Sequence, residues 1–306
     1  MGLRLGTRGS ALAIAQSRMV ADALTTATGE PVELVEIVTA GDRSSAPVQK
    51  LGVGVFVSAL REALHAKEID FAVHSYKDLP TAPADGLCIA AVPTRDDPRD
   101  ARVSRDGRLL AELGPGTRVG TGALRRVAQL NALGRGLDCV PIRGNVDTRL
   151  RKVADGELDA IVIAAAGLRR LGRAAEATEL LDPMIMLPAP AQGALAVECG
   201  SADAGLVELL SCLDDGPTRA AVTAERALLA TLEAGCSAPV AALADVAETD
   251  DGEWEIYLRG AVLSVDGSSA VRLSSTGSLT DAADVGRRLA AELLAEGAAT
   301  VLGVPE

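Results

Sequence analysis

The stretch His74-Ser75-Tyr76-Lys77-Asp78-Leu79-Pro80-Thr81 sets an ammonium beside a carboxylate, directly after the apolar run FAVHS (71–75). Such a run reads as a buried strand, and open α/β sheets receive ligands at the carboxyl ends of their strands. His74, Lys77 and Asp78 therefore stand where chemistry is expected. A carboxylate next to an ammonium stays ionised, and in a closed site it can receive or stabilise a cation. A surface turn with solvated Lys and Asp fits the same residues, and position alone does not separate the two readings.

Arginines recur at the corresponding place elsewhere. Gly120-Thr121-Gly122-Ala123-Leu124-Arg125-Arg126 follows the strand-like TRVGT (117–121) and opens a helix-period segment. Glycines there let backbone N–H groups approach an anion. The stretch is not a dinucleotide fingerprint, because Arg125 occupies the place of the third glycine. Two arginines in a first helical turn oppose the macrodipole unless an anion sits between them. In IRGNVDTRL (142–150), Arg143 leaves a strand, Asn145 can cap and Arg149 lies one turn into a helix. In TRGS (7–10), Arg8 ends a strand and Ser10 is the cap. Five arginines at strand ends of an acidic chain suit a ligand bearing several carboxylates or phosphates.

Cys236 lies in a Gly-Cys-Ser-Ala-Pro loop after a helix pattern, where a thiol is open to covalent chemistry. Buried cysteines are usually inert packing, which is how Cys88, Cys139 and Cys199 read inside their apolar runs. The five cysteines include no CxxC pair, so neither a disulfide framework nor a metal site is expected. A Cys–His thiol hydrolase would have only His65 and His74 to draw on, and His65 looks like surface.

The elements that position these residues follow from length and pattern. With 306 residues, two domains are expected and three are allowed. The hydrophobic fraction of 48% fits a folded soluble protein and argues against intrinsic disorder. A net charge of −12 and only five aromatic residues argue against a nucleic-acid binder. Of the 30 basic residues, 26 are arginine, either through coding bias or for recognition by guanidinium forks. The N-terminus lacks a signal-peptide core and no stretch reaches membrane-span length, so a cytoplasmic protein is expected.

Strand-like runs at 3–7, 32–38, 71–75, 88–92, 117–121, 137–142 and 158–165 alternate with helix patterns. Alternation predicts parallel sheets covered on both faces. After a helix at roughly 218–233, two strand-like runs and a final helix at roughly 281–296 predict a smaller α+β domain. AVPTRDDPRDA (91–101) and LPAPAQG (187–193) read as linkers. If ALAVEC (194–199) rejoins the first sheet, the chain crosses twice between two α/β domains, making a hinge with a ligand cleft between lobes.

TRGSALAIAQ, HSYKDLPT, RDDPRDA, VGTGALRRVAQL, IRGNVDTRL, AIVIAAAGLRRLG, LPAPAQGALAVEC and ERALLATLEAGCSAPV occur in this order. Together they closely resemble the porphobilinogen deaminase (hydroxymethylbilane synthase) family. The resemblance implies two periplasmic-binding-protein-like α/β domains joined by a double-crossover hinge, plus a small α+β C-terminal domain. The implied boundaries are 1–94 with 193–213 for domain 1, 95–192 for domain 2 and 214–306 for domain 3. It implies a transferase that condenses four porphobilinogen molecules head to tail, releasing ammonia and then hydroxymethylbilane, on the route to porphyrins and haem. The primer is a dipyrromethane cofactor, and its thioether attachment maps onto Cys236. The catalytic carboxylate maps onto Asp78, which would hold pyrrole N–H groups and the azafulvenium cation left by deamination. Arg8, Ser10, Arg125, Arg126, Arg143 and Arg149 map onto residues that bind acetate and propionate groups. Lys77 and Thr121 map onto cofactor contacts, and Asp42 and Gln192 onto positions near the cleft. A monomer is expected.

The chain departs from the family pattern in places. Val53 stands in LGVGVF where a loop lysine is common, leaving Lys50 as the nearest replacement. Gly122 and Ala123 replace usual serines, and Tyr76 replaces a frequent methionine. The main rival reading is a non-catalytic polycarboxylate-binding module of periplasmic-receptor type, since fold does not fix function. A dinucleotide-dependent oxidoreductase is weaker, given the failed fingerprint.

Overall fold

A computed structural model describes residues 2–38, 57–234 and 238–303. Asp42, Lys50, Val53 and Cys236 lie outside the described residues.

The chain opens with β1 (Leu3–Thr7) and α1 (Ala11–Thr28). Ser10 caps α1 by accepting the Ala13 N–H at 3.3 Å. Gly29 ends it with φ +77°, its N–H donating to Thr25 O at 2.8 Å. β2 (Val32–Glu36) follows, then α2 (Ser58–His65), which buries Leu60, Ala63 and Leu64 at helical spacing. β3 (Phe71–Ser75) runs into a 3-10 turn at Tyr76–Asp78, and β4 (Leu87–Ala91) comes next.

β5 (Asp100–Ser104), β6 (Arg118–Thr121), α3 (Leu124–Ala132), β7 (Asp138–Pro141), α4 (Val146–Ala154) and β8 (Ala160–Ala164) follow. α5 (Ala165–Arg170) and the two-residue β9 (Glu179–Leu180) complete the middle of the chain. Then come β10 (Leu195–Gly200), α6 (Ala204–Ser211) and α7 (Gly216–Thr231). β11 (Val240–Glu248), β12 (Trp254–Leu263), β13 (Ala270–Ser278), α8 (Ala282–Ala295) and α9 (Ala298–Leu302) end it.

The contacts divide the chain into two compact units: Met1–Asp96 with Ala194–Arg219, and Asp97–Gly193 with Ala220–Glu306. In the first, the strand order is β2-β1-β3-β10-β4. In the second it is β7-β6-β8-β5-β9, the same arrangement of three parallel strands and one reversed neighbour. Here the expectation of wholly parallel sheets is corrected. β10 is antiparallel to β3 and β4, and β5 is antiparallel to β8 and β9. Both reversed strands begin within four residues of a passage from the other unit, at Asp96/Asp97 and Gly193/Ala194. They arrive without the helical crossover that makes neighbouring strands parallel.

The stretches read as linkers also differ from expectation. The first already contains the start of β5. The second is almost wholly buried, with Leu187, Ala191 and Gln192 at 4% exposure or less. Its polar backbone is met by side chains: Leu187 N–H donates to Gln129 Oε1 at 2.8 Å, and Ala191 N–H donates to Glu225 Oε2.

The second unit also holds the antiparallel sheet β11-β12-β13. On one face, Ala242, Ile256, Leu258 and Val262 pack with Ala224 and Leu228 of α7 and Val285, Leu289 and Leu293 of α8. On the other, Ala241, Leu243, Ala261 and Leu263 pack with Ala128 of α3 and with Leu187. Burial of both faces erases the alternation of β11, whose first five residues are all buried, so the sequence pattern does not announce this strand. Gly286 lets α8 and α7 touch, since a Cβ there would stand 2.2 Å from the Ala224 carbonyl oxygen.

Candidate functional site

In the first unit, β1, β2 and β3 are adjacent and parallel, so their carboxyl ends share one edge. Arg8 and Ser10 follow β1 there, and Lys77 and Asp78 follow β3. Asp78 is exposed, Lys77 and Arg8 are half-buried, and the Leu79 N–H closes the turn on Tyr76 O at 3.2 Å. Gln16 of α1 donates to Ser75 Oγ at 2.9 Å, tying the end of β3 to the helix that Ser10 starts. A hollow bordered by Gly9, Ser10, Glu36 and Val38 opens on this edge. Arg8, Ser10, Lys77 and Asp78 share this edge because β1 and β3 are paired in register, Gly6 opposite Ala72.

His74 takes a different place from its sequence neighbours. It is buried on β3, with Nε2 3.0 Å from Glu198 Oε2 on β10. Arg61 of α2 grips the same carboxylate, its Nη2 donating at 2.8 Å and its Nε at 3.0 Å to Oε1. Burial opposes the charge on Glu198, but the facing His74 imidazole and the hydrogen bonds of Arg61 outweigh it and hold the carboxyl below its usual range. Neither Glu198 nor Arg61 was singled out in the sequence, because 137 residues separate them.

In the second unit, β7, β6 and β8 are adjacent and parallel, and their carboxyl ends again share an edge. Thr121, Arg125 and Arg126 follow β6, and Arg143 and Arg149 follow β7. Asn145 caps α4, accepting the Thr148 N–H at 2.9 Å. Gly144 has φ +100°, and Arg149 Nε donates to its carbonyl at 2.9 Å. Thr121 is buried, with the Ala123 N–H 3.4 Å from its Oγ1. A Cβ on Gly122 would stand 2.8 Å from the Ile142 carbonyl oxygen, so the serine usual there does not fit this backbone without a shift.

The anion demanded between Arg125 and Arg126 is Asp100, the first residue of β5, in a stretch whose prolines and charges give it the look of a linker. Arg125 Nη2 donates to Asp100 Oδ2 at 2.9 Å and Arg126 Nη2 to Oδ1 at 2.8 Å. Gln192 Nε2 donates to Oδ1 at 2.7 Å and to Pro98 O at 2.8 Å. All four residues are at most 5% exposed. Complete burial works against the Asp100 charge; the fields of Arg125 and Arg126, with hydrogen bonds from Arg126 and Gln192, overcome it and hold the carboxyl far below its usual range. Burial pulls the Arg125 guanidinium below its own usual range, against the opposing pull of Asp100.

Among the described residues, Arg126 Nε and Arg143 Nη1 are buried with no hydrogen-bond partner. They are donors of the kind that carboxylates complete. No group of three or more His, Cys, Asp or Glu among the described residues could hold a metal. Burial and the neighbouring Cys88 push the Cys199 thiol up to about 12, which suits packing rather than chemistry.

In each unit, charged side chains gathered behind parallel strands form the kind of edge at which α/β folds can bind small molecules. The comparisons with known proteins narrow this. Residues 3–208 match the family described as porphobilinogen deaminase, dipyromethane cofactor binding domain, and residues 219–295 match porphobilinogen deaminase, C-terminal domain. The porphobilinogen deaminase of Nocardia farcinica is 62% identical over 98% of this chain and 88% of its own length. That of Mycobacterium tuberculosis (strain ATCC 25177 / H37Ra) is 58% identical over 97% of both chains. This chain belongs to the porphobilinogen deaminase family. Among solved structures, the methionine-binding protein MetQ aligns with 69% of this chain and 89% of its own at 14% identity and a TM-score of 0.43. A periplasmic substrate-binding protein of an ABC transporter from Coxiella burnetii aligns with 69% and 91% at 13% identity and a TM-score of 0.44.

Proposed function

We propose that this chain is a transferase that joins four porphobilinogen molecules head to tail, releasing ammonia at each addition and hydroxymethylbilane at the end. The observation that carries the reading is 62% identity to a porphobilinogen deaminase over 98% of the chain. Lys77–Asp78 and the strand-end arginines agree with it chemically.

The substrate brings two carboxylates per pyrrole ring, and the growing chain gathers negative charge on a protein already at −12. Arg8, Arg125, Arg126, Arg143 and Arg149, with Ser10, Thr121 and Gln192, would bind these acid side chains and offset the repulsion. Asp78 would accept pyrrole N–H groups and stabilise the cation left when substrate loses ammonia. Lys77 beside it would meet a ligand carboxylate.

The residues present fit a dipyrromethane cofactor: the unpartnered donors on Arg126 and Arg143 call for carboxylates, and the sequence supplies a thiol at Cys236. Bound through a thioether at Cys236, the cofactor would supply the free pyrrole carbon to which the first substrate is joined. Asp42 is assigned to the same site on the family pattern alone, and Lys50 as the nearest replacement for the loop lysine whose place Val53 holds. We read the two chain passages as a double-crossover hinge between periplasmic-binding-protein-like domains 1 and 2, with residues 214–306 as the third. The protein is read as a monomer acting in the cytoplasm; no described helix is long and apolar enough to cross a membrane.

Intact mass after denaturation, paired with single-turnover ammonia release from porphobilinogen, tests this. The expected mass exceeds the polypeptide by two pyrrole units, and the excess disappears in Cys236→Ser. A bare polypeptide mass in fully active protein would remove the cofactor from the account.

A further inference from the structure

Cys88 on β4 and Cys199 on β10 are 111 residues apart in the chain, yet their Sγ atoms stand 4.0 Å from each other. A bulge makes the meeting. Val197 lies opposite Ala91, and that register would carry Cys199 to Ile89; the shift between Val197 and Glu198 sets it opposite Cys88 instead. Opposite residues of an antiparallel pair have Cα atoms about 4.5 or about 5.5 Å apart, both within the roughly 4.4–6.8 Å that a disulfide spans. The two cysteines share the apolar cluster that Leu206, Val207 and Leu210 of α6 join. Cys199 is completely buried there, whereas Cys88 is half-buried.

We propose that Cys88 and Cys199 form a redox site: a low-molecular-weight disulfide oxidises them to a bond that ties β4 to β10. The Cys88 thiolate attacks one sulfur of the reagent, forming a mixed disulfide and releasing one thiolate. Cys199 then loses its proton to that thiolate and attacks the Cys88 sulfur. The Cys88–Cys199 bond forms as the bond to the reagent breaks and a second thiolate leaves. Two electrons pass from the protein to the reagent, which departs as two thiols. The order of attack follows from the setting. Cys199 is a poor first attacker, since burial and the adjacent Cys88 push its thiol up to about 12. Its single task is on a sulfur already beside it, where proximity offsets a small thiolate fraction. The bond closes a loop that holds all of Asp97–Gly193, the first stretch of the second unit.

The test treats the folded holoprotein with bis(hydroxyethyl) disulfide, a neutral reagent that the net charge of −12 does not repel. Peptides are then mapped by mass without reduction, and the exposed Cys212 reports that the reagent is active. The expected product is a linked pair of peptides carrying Cys88 and Cys199, lighter by two hydrogens than the reduced peptides and parted again by a dithiol. In Cys199→Ala, Cys88 is expected to stop at the mixed disulfide. In Cys88→Ala, Cys199 is expected to react at least about tenfold more slowly than in the parent protein. The proposal is overturned if Cys88 stops at the mixed disulfide in the parent, or if both thiols stay reduced after Cys212 has reacted fully. Reaction of Cys199 at the parent rate in Cys88→Ala overturns it as well. Should a variant fail to fold, the parent protein alone decides.

Discussion

His74 on β3 and Glu198 on β10 meet at 3.0 Å on the sheet face that α2 covers, with Arg61 closing the far side of the carboxylate. The pair joins the strand that ends in Lys77–Asp78 to the strand that returns from the second unit. Its energetics follow from burial: a carboxylate at 1% exposure keeps its charge only because a guanidinium and an imidazole face it. Removing one partner strands the others.

Replacing Glu198 by Ala is therefore expected to destabilise the protein by roughly 3–5 kcal/mol. Since the folded carboxyl lies below its unfolded value, its contribution is present above the unfolded value near 4.5 and lost as pH falls through the folded one. Tm measured from pH 6 downward should fall less steeply in Glu198→Gln than in the parent protein. A parallel pair of curves would mean that Glu198 is not held ionised by its partners.

Asp78 is exposed at the end of β3, and the Leu79 N–H closes its turn on Tyr76 O. Asp78→Asn should fold with a Tm within a few degrees of the parent. It should retain porphobilinogen binding, the amide oxygen still accepting a pyrrole N–H, and lose turnover by about a hundredfold or more, the usual scale for removing one preorganised electrostatic group. Near-normal ammonia release would take the catalytic role from this residue.

Arg102 on β5 is completely buried; its Nε donates to Glu179 Oε2 at 3.2 Å, while Nη1 and Nη2 find no hydrogen-bond partner among the described residues. A buried ion pair so poorly satisfied is replaceable by apolar volume. Arg102→Met is expected to be neutral or stabilising by about 1–4 kcal/mol, and Glu179→Ala to be destabilising. Urea unfolding of both variants checks the order, and a marked loss in Arg102→Met would show that the guanidinium is satisfied after all.

What the sequence by itself determined is local. Ser10 and Asn145 cap helices through bonds that span three residues, so the spacing of residues is enough to announce them. Strand-to-helix alternation set α/β sheets, and with them the rule that Arg8, Asp78, Arg125, Arg126, Arg143 and Arg149 fall at strand ends. The eight ordered motifs went further and carried the family. The tertiary structure alone decided which charges meet. Asp100 reaches Arg125 and Arg126 across 25 and 26 residues, and Glu198 reaches Arg61 across 137. The reversed strands β5 and β10, the buried segment around Leu187–Gln192 and the masked alternation of β11 belong to the same class. Periodicity and caps are fixed by neighbours along the chain, whereas the partner of a buried charge and the direction of a strand depend on where a distant segment returns.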